Sequence, residues 1–191
     1  MCRQPLSGCA PLQCDNGHSF DRAREGYVNL LPANKKRSLE PGDNATMIGA
    51  RRRVHETGVY QPLADSMVSL LTDTAAVTAG PLLDLGCGEG YYAGYLAEHL
   101  SAVSILGVDM AKSAVRLAAK RYPRVEFAVA SAFAVPLPAG SMGSVVSVFA
   151  PAAPEELQRL LPAGGVYLKV TPAPMHLWSL REALYASPRP H

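Results

Sequence analysis

The stretch LLDLGCGEGYY at residues 82–92 constrains the fold more than any other part of the chain. An apolar run carries Asp84 near its end, and glycines follow at 86, 88 and 90. A run of that kind reads as a buried strand. Glycines at its carboxyl end permit positive φ and remove the Cβ that would block a ligand, so the chain turns sharply into a helix near Tyr91. About twenty residues on, ILGVD at 105–109 reads as a second strand, ending in Asp109. Five strands in all are expected, at 81–85, 104–109, 125–130, 144–149 and 165–170, with helices near 90–100, 112–121, 154–161 and from about 175. Short apolar strands alternating with helices predict an α/β fold with a parallel, doubly wound sheet covered on both faces.

The chain has 191 residues, of which 48% are hydrophobic, enough for one full domain and a small appendage. No apolar run approaches the length of a membrane span, and MCRQPLSGCAPLQC has no signal-peptide core. The expectation is a cytoplasmic protein without membrane contact, whose four cysteines serve as metal ligands or buried thiols. A net charge of +2 neither demands nor excludes a nucleic acid. Its distribution says more: Lys35, Lys36, Arg37, Arg51, Arg52 and Arg53 form a local basic patch suited to a polyanion, against the alternative of a solvated charged face. Three regions follow from texture: a Cys- and Gly-rich segment 1–32, a basic and helical connector 33–80, and the alternating domain 81–191. Within the connector, helices are expected over 45–56 and 61–76, after a loop at Pro41-Gly42-Asp43.

The glycine spacing is G-x-G-x-G behind an acidic residue. It is neither the dinucleotide G-x-G-x-x-G nor a P-loop with its Lys-Ser/Thr. Asp109 stands where a carboxylate receives both hydroxyls of a ribose. Glu89 in the loop disfavours a pyrophosphate. A nucleoside carrying an amino acid and no phosphate satisfies both constraints, which points to S-adenosylmethionine. The competing reading is a glycine turn that serves only helix–sheet packing.

Other tracts carry a resemblance: CDNGHSFDRAREGYVNLLP (14–32), KKRSLEPGDNATMIGARRRV (35–54), GVYQPL (58–63), LDLGCGEGYY (83–92), AKRYPRVEFAVAS (119–131), FAPA (149–152) and TPAPMHL (171–177). With them the chain resembles the class I methyltransferases. More narrowly it resembles the 23S rRNA (guanine-N1)-methyltransferases, whose actinomycete relatives confer resistance to tylosin-type macrolides. The resemblance implies a Rossmann-like sheet behind a small zinc-ribbon segment, S-adenosylmethionine as cofactor, 23S rRNA as partner and a homodimer. It implies that Tyr60, Gly88 with Glu89, and His176 touch the cofactor, beside the Asp84, Gly86, Gly90 and Asp109 of the loop reading. Without it, Tyr60 reads as an aromatic packing a helix end and His176 as an exposed helix cap.

The family's ribbon carries C-x2-C followed by C-x3-H. Cys2, Cys14 and His18 match three of those ligands, and the first cysteine of the pair has no counterpart. Three alternatives stand: Cys9 completes a Cys3His site, three ligands hold zinc weakly, or zinc is absent. Cys87 reads as a packed small hydrophobe.

Methylating N1 of guanine requires loss of the N1 proton and exposure of the Watson–Crick edge. No catalytic base is legible. Phe149-Ala150-Pro151 stands where related enzymes present the target base, with backbone carbonyls to orient it, and Glu25 is a candidate base. Lys35, Lys36, Arg37, Arg51 and Arg52 are the expected RNA contacts, although three successive arginines on one helix cannot share a face. Class I methyltransferases continue beyond the fifth strand, whereas five strands are counted here, so 164–171 is expected at a sheet edge. An active rRNA methyltransferase therefore competes with a shortened, catalytically inactive fragment that binds cofactor or RNA. A small-molecule methyltransferase is disfavoured by the ribbon and the basic patch.

Overall fold

The computed structural model describes residues 4–8, 11–31, 44–74, 80–187 and 189. Strands β1 (Leu12–Gln13) and β2 (Ser19–Phe20) form an antiparallel hairpin. Strand β3 (Val28–Asn29) leaves that hairpin and pairs in parallel with β6 (Glu126–Val129), with Val28 opposite Ala128. The remaining strands are β4 (Leu82–Leu85), β5 (Ile105–Asp109), β7 (Ser144–Val148) and β8 (Val166–Val170). They complete a parallel sheet of order β3-β6-β5-β4-β7-β8. The sequence reading counted five strands; among the described residues β3 adds a sixth to this sheet, and β1 and β2 form a separate pair. A two-residue strand has too little periodicity to be read from sequence, and its partner lies a hundred residues away.

Order along the sheet decides where a ligand goes. The chain steps outward from β4 to β5 and β6, then crosses back to place β7 on the other side of β4. The crevice at the carboxyl ends of β4 and β7 is therefore the topological switch point. Central β4 is buried at all four positions, because both faces are covered. Leu82 lies in one core with Met67, Leu71, Leu96, Val115 and Phe127. Leu83 and Leu85 lie in the other with Val108, Val135, Val145 and Leu160.

Six helices are described: α1 (Ala45–Glu56), α2 (Gln61–Thr72), α3 (Tyr91–His99), α4 (Lys112–Arg121), α5 (Pro154–Leu160) and α6 (Trp178–Leu184). Helix α1 starts where Asn44 accepts from the Met47 N–H at 2.9 Å, an N-cap that satisfies an otherwise unpaired donor. Pro62 occupies the first turn of α2, where its missing N–H costs nothing. The expected extension of α2 to 76 is not found; it ends at Thr72, capped by Asp73. The loop at 41–43 lies outside the described residues. Among the described residues, β8 lies at one end of the sheet order.

Close helix–sheet packing depends on glycine at three points. A Cβ on Gly94 would stand 2.3 Å from the Tyr122 ring, and one on Gly107 2.6 Å from the Phe127 ring. Gly90 begins α3 at φ +83°, with Ala118 2.8 Å from where its Cβ would be.

Candidate functional site

A cavity of about 430 Å³ opens at the switch point, within the size range of small-molecule sites. The loop after β4, the end of β5, the loop after β6 and the loop after β7 form its walls. Asp84, Gly86, Gly88, Glu89 and Asp109 of the sequence reading all line it. Gly90 is not in the wall; it starts α3, and a Cβ there would meet Ala118 and Phe127. Gly86 also serves packing: a Cβ there would meet Ala150 Cβ at 2.4 Å, so its absence lets the Phe149-Ala150-Pro151 loop close against the glycine loop.

The carboxylates of the site differ in state. The Ala93 N–H donates to Asp84, yet Asp84 Oδ2 is buried without a protein partner. Burial, and secondarily Asp109, push the Asp84 carboxyl up to about 7. Asp109 accepts from the Gly88 N–H at 2.9 Å through Oδ2 and from the Ala111 N–H at 2.8 Å through Oδ1. It thus ties the glycine loop to the end of β5, and a carboxylate retains further lone pairs for a ligand hydroxyl. Glu89 is 3% exposed, and its Oε1 lies 2.7 Å from His55 Nδ1.

His55 was missed by sequence reading. It stacks on Tyr91 with centroids 4.3 Å apart and 15° between planes, and meets Tyr60 and Tyr92 edge-on, each at 5.6 Å. Buried Ile48, pocket-lining Arg51 and buried His55 recur at helical spacing, a signal that was present but masked by the run of arginines. Tyr92, which also lines the cavity, has a buried hydroxyl with no protein partner.

Tyr60 and His176 are not in the cavity wall; both reach it through Phe149. The Tyr60 ring lies 6.3 Å from Phe149 and the His176 ring 6.0 Å from it. Phe149 itself lines the cavity, is 44% exposed and holds φ at +53°, a conformation costly for a residue with a side chain. Phe133, 59% exposed, is a second aromatic in the wall.

The expected basic contacts separate. Arg51 turns into the cavity wall, whereas Arg52 pairs with Glu56 at 2.8 Å. Arg121 shares that carboxylate at 3.2 Å. Lys35, Lys36 and Arg37 lie outside the described residues. Glu25 is corrected as a candidate base: Arg116 donates to it at 2.8 Å, and it is not in the cavity wall. Its own backbone N–H, then Arg116, hold its carboxyl below the usual carboxylate range. Cys87 is buried and in no disulfide, and burial pushes its thiol up, as a packed hydrophobe requires.

At the other end, Cys14 and His18 face one another across a turn, with Sγ 3.3 Å from Nδ1. The Gly17 N–H donates to the Cys14 carbonyl and the Cys14 N–H to the His18 carbonyl. Two ligands on tetrahedral zinc stand about 3.5 Å apart, given Zn–S and Zn–N bonds of about 2.3 and 2.0–2.1 Å. The pair fits half of such a site. Cys2 and Cys9 lie outside the described residues, and among the described ones no group of three metal-ligating side chains gathers.

Comparison with known proteins agrees with this geometry. Residues 1–39 match the zinc-ribbon family model described as RlmA, N-terminal, and residues 82–165 match a methyltransferase domain. A Micromonospora griseorubida protein with the provisional name 23S rRNA (guanine-N(1)-)-methyltransferase is 34% identical over 96% of this chain and 68% of its own length. The chain belongs to the 23S rRNA (guanine-N1)-methyltransferase family. The Streptomyces fradiae member, "23S rRNA (guanine(748)-N(1))-methyltransferase", is 38% identical over 96% of this chain, which spans 65% of that protein's length. Among solved structures, a Methanococcus maripaludis protein provisionally described as an S-adenosyl-L-methionine-dependent methyltransferase superposes with a TM-score of 0.55. That match has 19% identity and covers 69% of this chain and 67% of that one, and it shows the class I fold shared by this family.

Proposed function

We propose that this chain transfers a methyl group from S-adenosylmethionine to N1 of a guanine in a 23S rRNA hairpin loop. One observation carries the reading: Asp84, whose buried Oδ2 has no protein partner, lines the switch-point cavity beside a glycine loop tied to Asp109. Such an acceptor fits the ammonium of the cofactor's methionine end. Asp109 has capacity for the ribose hydroxyls, and Gly88 keeps the loop backbone open beside them. Tyr60 and His176, whose rings lie 6.3 and 6.0 Å from that of Phe149, would touch the same ligand, as the resemblance implies. When bound, the cofactor supplies an electrophilic methyl on sulfur.

The protein's part is alignment. A guanine lying against Phe149-Ala150-Pro151 would have the Phe149 ring as a stacking surface and backbone carbonyls as orienting acceptors. No side chain of that tract titrates, so the N1 proton leaves to solvent or to a group elsewhere in the cavity. RNA affinity would come from the ribbon and from Lys35, Lys36, Arg37 and Arg52, with zinc on Cys14, His18, Cys2 and Cys9 holding the ribbon together. Such an enzyme works in the cytoplasm; no described helix is long and apolar enough to cross a membrane. A share in tolerance of tylosin-type macrolides belongs to the same proposal.

The test is incubation of the 191-residue chain with radiolabelled S-adenosylmethionine and 23S rRNA from a strain lacking the endogenous enzyme. Label located at guanine N1 is the expected result. Cofactor binding by calorimetry without label in RNA would favour a binding fragment without turnover. No cofactor binding at all would refute the reading.

A further inference from the structure

Helix α4 differs from every other described helix in its charge. Its sequence, KSAVRLAAKR, holds four cations and no acid, whereas α1, α2, α3, α5 and α6 each carry at least one carboxylate. Ala114, Val115, Ala118 and Ala119 are buried on the face toward β5 and β6. That register turns Lys112, Arg116 and Lys120 outward, at spacing i, i+4, i+8. Successive charges stand about 6 Å apart along the axis, near the step between phosphates of an extended nucleic-acid strand. Such a stripe is unfavourable by itself. Like charges four residues apart repel, and Lys112 sits in the first turn, where the macrodipole disfavours a cation. Arg116 has Glu25 at 2.8 Å, yet its side chain remains 61% exposed. Arg121 shares Glu56 with Arg52. Lys112 and Lys120 have no ion pair among the described residues. A face kept only for solvation would gain by alternating its signs; a uniformly cationic face fits a polyanion.

We propose that the outer face of α4 is a backbone-binding rail, on which Lys112, Arg116 and Lys120 contact successive phosphates of the RNA substrate. The inference rests on the rRNA reading above and adds a surface to it. Place decides the partner. Helix α4 starts at the cavity rim, since Ala111 caps it directly after cavity-lining Met110. Beside it runs α1, which packs Ile48 against Ala111 and Ala114 and contributes Arg51 to the cavity wall. Glu25, the partner of Arg116, belongs to the segment that leads from the Cys14–His18 turn into β3. The stripe thus lies between the two places where the rRNA reading needs RNA, the N-terminal ribbon and the cavity. Phosphate contacts of this kind supply affinity and register without reading sequence. A lipid surface fits less well. Of the large apolar side chains on α4, Val115 is buried and Leu117 is 38% exposed, so no apolar face is left to enter a bilayer.

The test is filter binding of the full chain to radiolabelled 23S rRNA and to polyuridylate, at salt concentrations from about 50 to 200 mM. Lys112→Gln and Lys120→Gln barely change helix propensity, so the fold is kept. Each should lower the slope of log K against log salt by about 0.7–0.9, the counter-ion released per phosphate. The double variant should lose about twice that on both RNAs and bind roughly tenfold or more weakly at about 50 mM salt. Lys120→Arg, which retains the charge, should keep the slope. Lys169→Gln removes the same charge from exposed β8 and should also leave it unchanged. Affinity for S-adenosylhomocysteine should not move in the lysine variants of α4, because neither side chain lines the cavity. An equal loss with Lys169→Gln would reveal only diffuse charge and overturn the inference. A loss of binding to phosphatidylserine vesicles with no change on RNA would assign the stripe to a lipid surface and overturn it too. If the double variant keeps its slope while the unsubstituted chain methylates rRNA, the rail is refuted and the function reading stands. If the unsubstituted chain binds neither RNA in a salt-dependent way, both fall together.

Discussion

At the scale of the residue, Asp84 is a carboxyl group held almost wholly out of water, 2% exposed. Its carboxyl is pushed from 3.8 to about 7 by complete burial and by Asp109. In the unfolded chain it loses its proton near its ordinary value, whereas the folded chain keeps that proton to about 7. The folded state therefore binds the extra proton between those values, and its contribution to stability is complete below about 4 and disappears as pH rises through about 7. Asp84→Asn mimics the protonated form at every pH. Relative to the unsubstituted chain, the variant should gain roughly 2–3 kcal/mol of stability between pH 5 and pH 8. Denaturant titrations of both proteins at several pH values measure this, and a constant difference would contradict it. The same variant should lose affinity for S-adenosylhomocysteine, because a neutral amide cannot pair with an ammonium as a carboxylate does.

At the scale of the element, glycines set how near two elements approach. Gly107 on β5 lies under the Phe127 ring of β6, and Cys87 Sγ is 3.0 Å from where its Cβ would be. Gly107→Ala should therefore cost about 1–3 kcal/mol through overpacking. Gly140, at φ +63° with nothing near its missing Cβ, should cost less when replaced, through backbone strain alone. Denaturation midpoints order the two variants, and Phe127→Leu should recover part of the Gly107→Ala loss. A different device holds the loop after β6. Glu156 on α5 accepts from the Val135 N–H at 2.6 Å, while Arg159 donates to the carbonyls of Val135 and Leu137 at 2.9 and 2.6 Å. This clamp presents Ala132 and Phe133 to the cavity from a loop that has no regular structure of its own.

At the scale of the molecule, the N-terminal segment is not a detached module. Its hairpin carries the Cys14–His18 turn, and its β3 is an edge strand of the main sheet. A segment this small has little core, so metal binding would supply much of its folding energy. Removing zinc by chelation should speed hydrogen exchange across residues 11–20 first, lessen protection at Val28 and Asn29 next, and leave Leu82–Leu85 unchanged. Native zinc content by mass spectrometry belongs beside that measurement. Metal-free protein with the same exchange pattern would show that the hairpin stands without zinc. Cys14→Ser should reproduce the effect of the chelator.

What the sequence alone determined is local. Apolar runs of four to six residues, glycines behind the first of them and amphipathic stretches between them placed five strands and most helix bounds within a few residues. Asp84 and Asp109 were legible because each stands at a strand end whose position is set by its immediate neighbours. Tertiary structure decided which side of each residue matters. Gly86 and Gly90 look equivalent to Gly88 in sequence, yet their missing Cβ atoms face Ala150 and Ala118, not a ligand. Arg51 and Arg52 are adjacent, but the turn of about 100° between them sends one into the cavity and the other to Glu56. His55 meets Glu89 across 34 residues, and Val28 meets Ala128 across a hundred. Periodicity is a property of near neighbours and survives in one dimension. Who faces whom depends on how helices and strands close upon one core, and that is fixed only when the whole chain has packed.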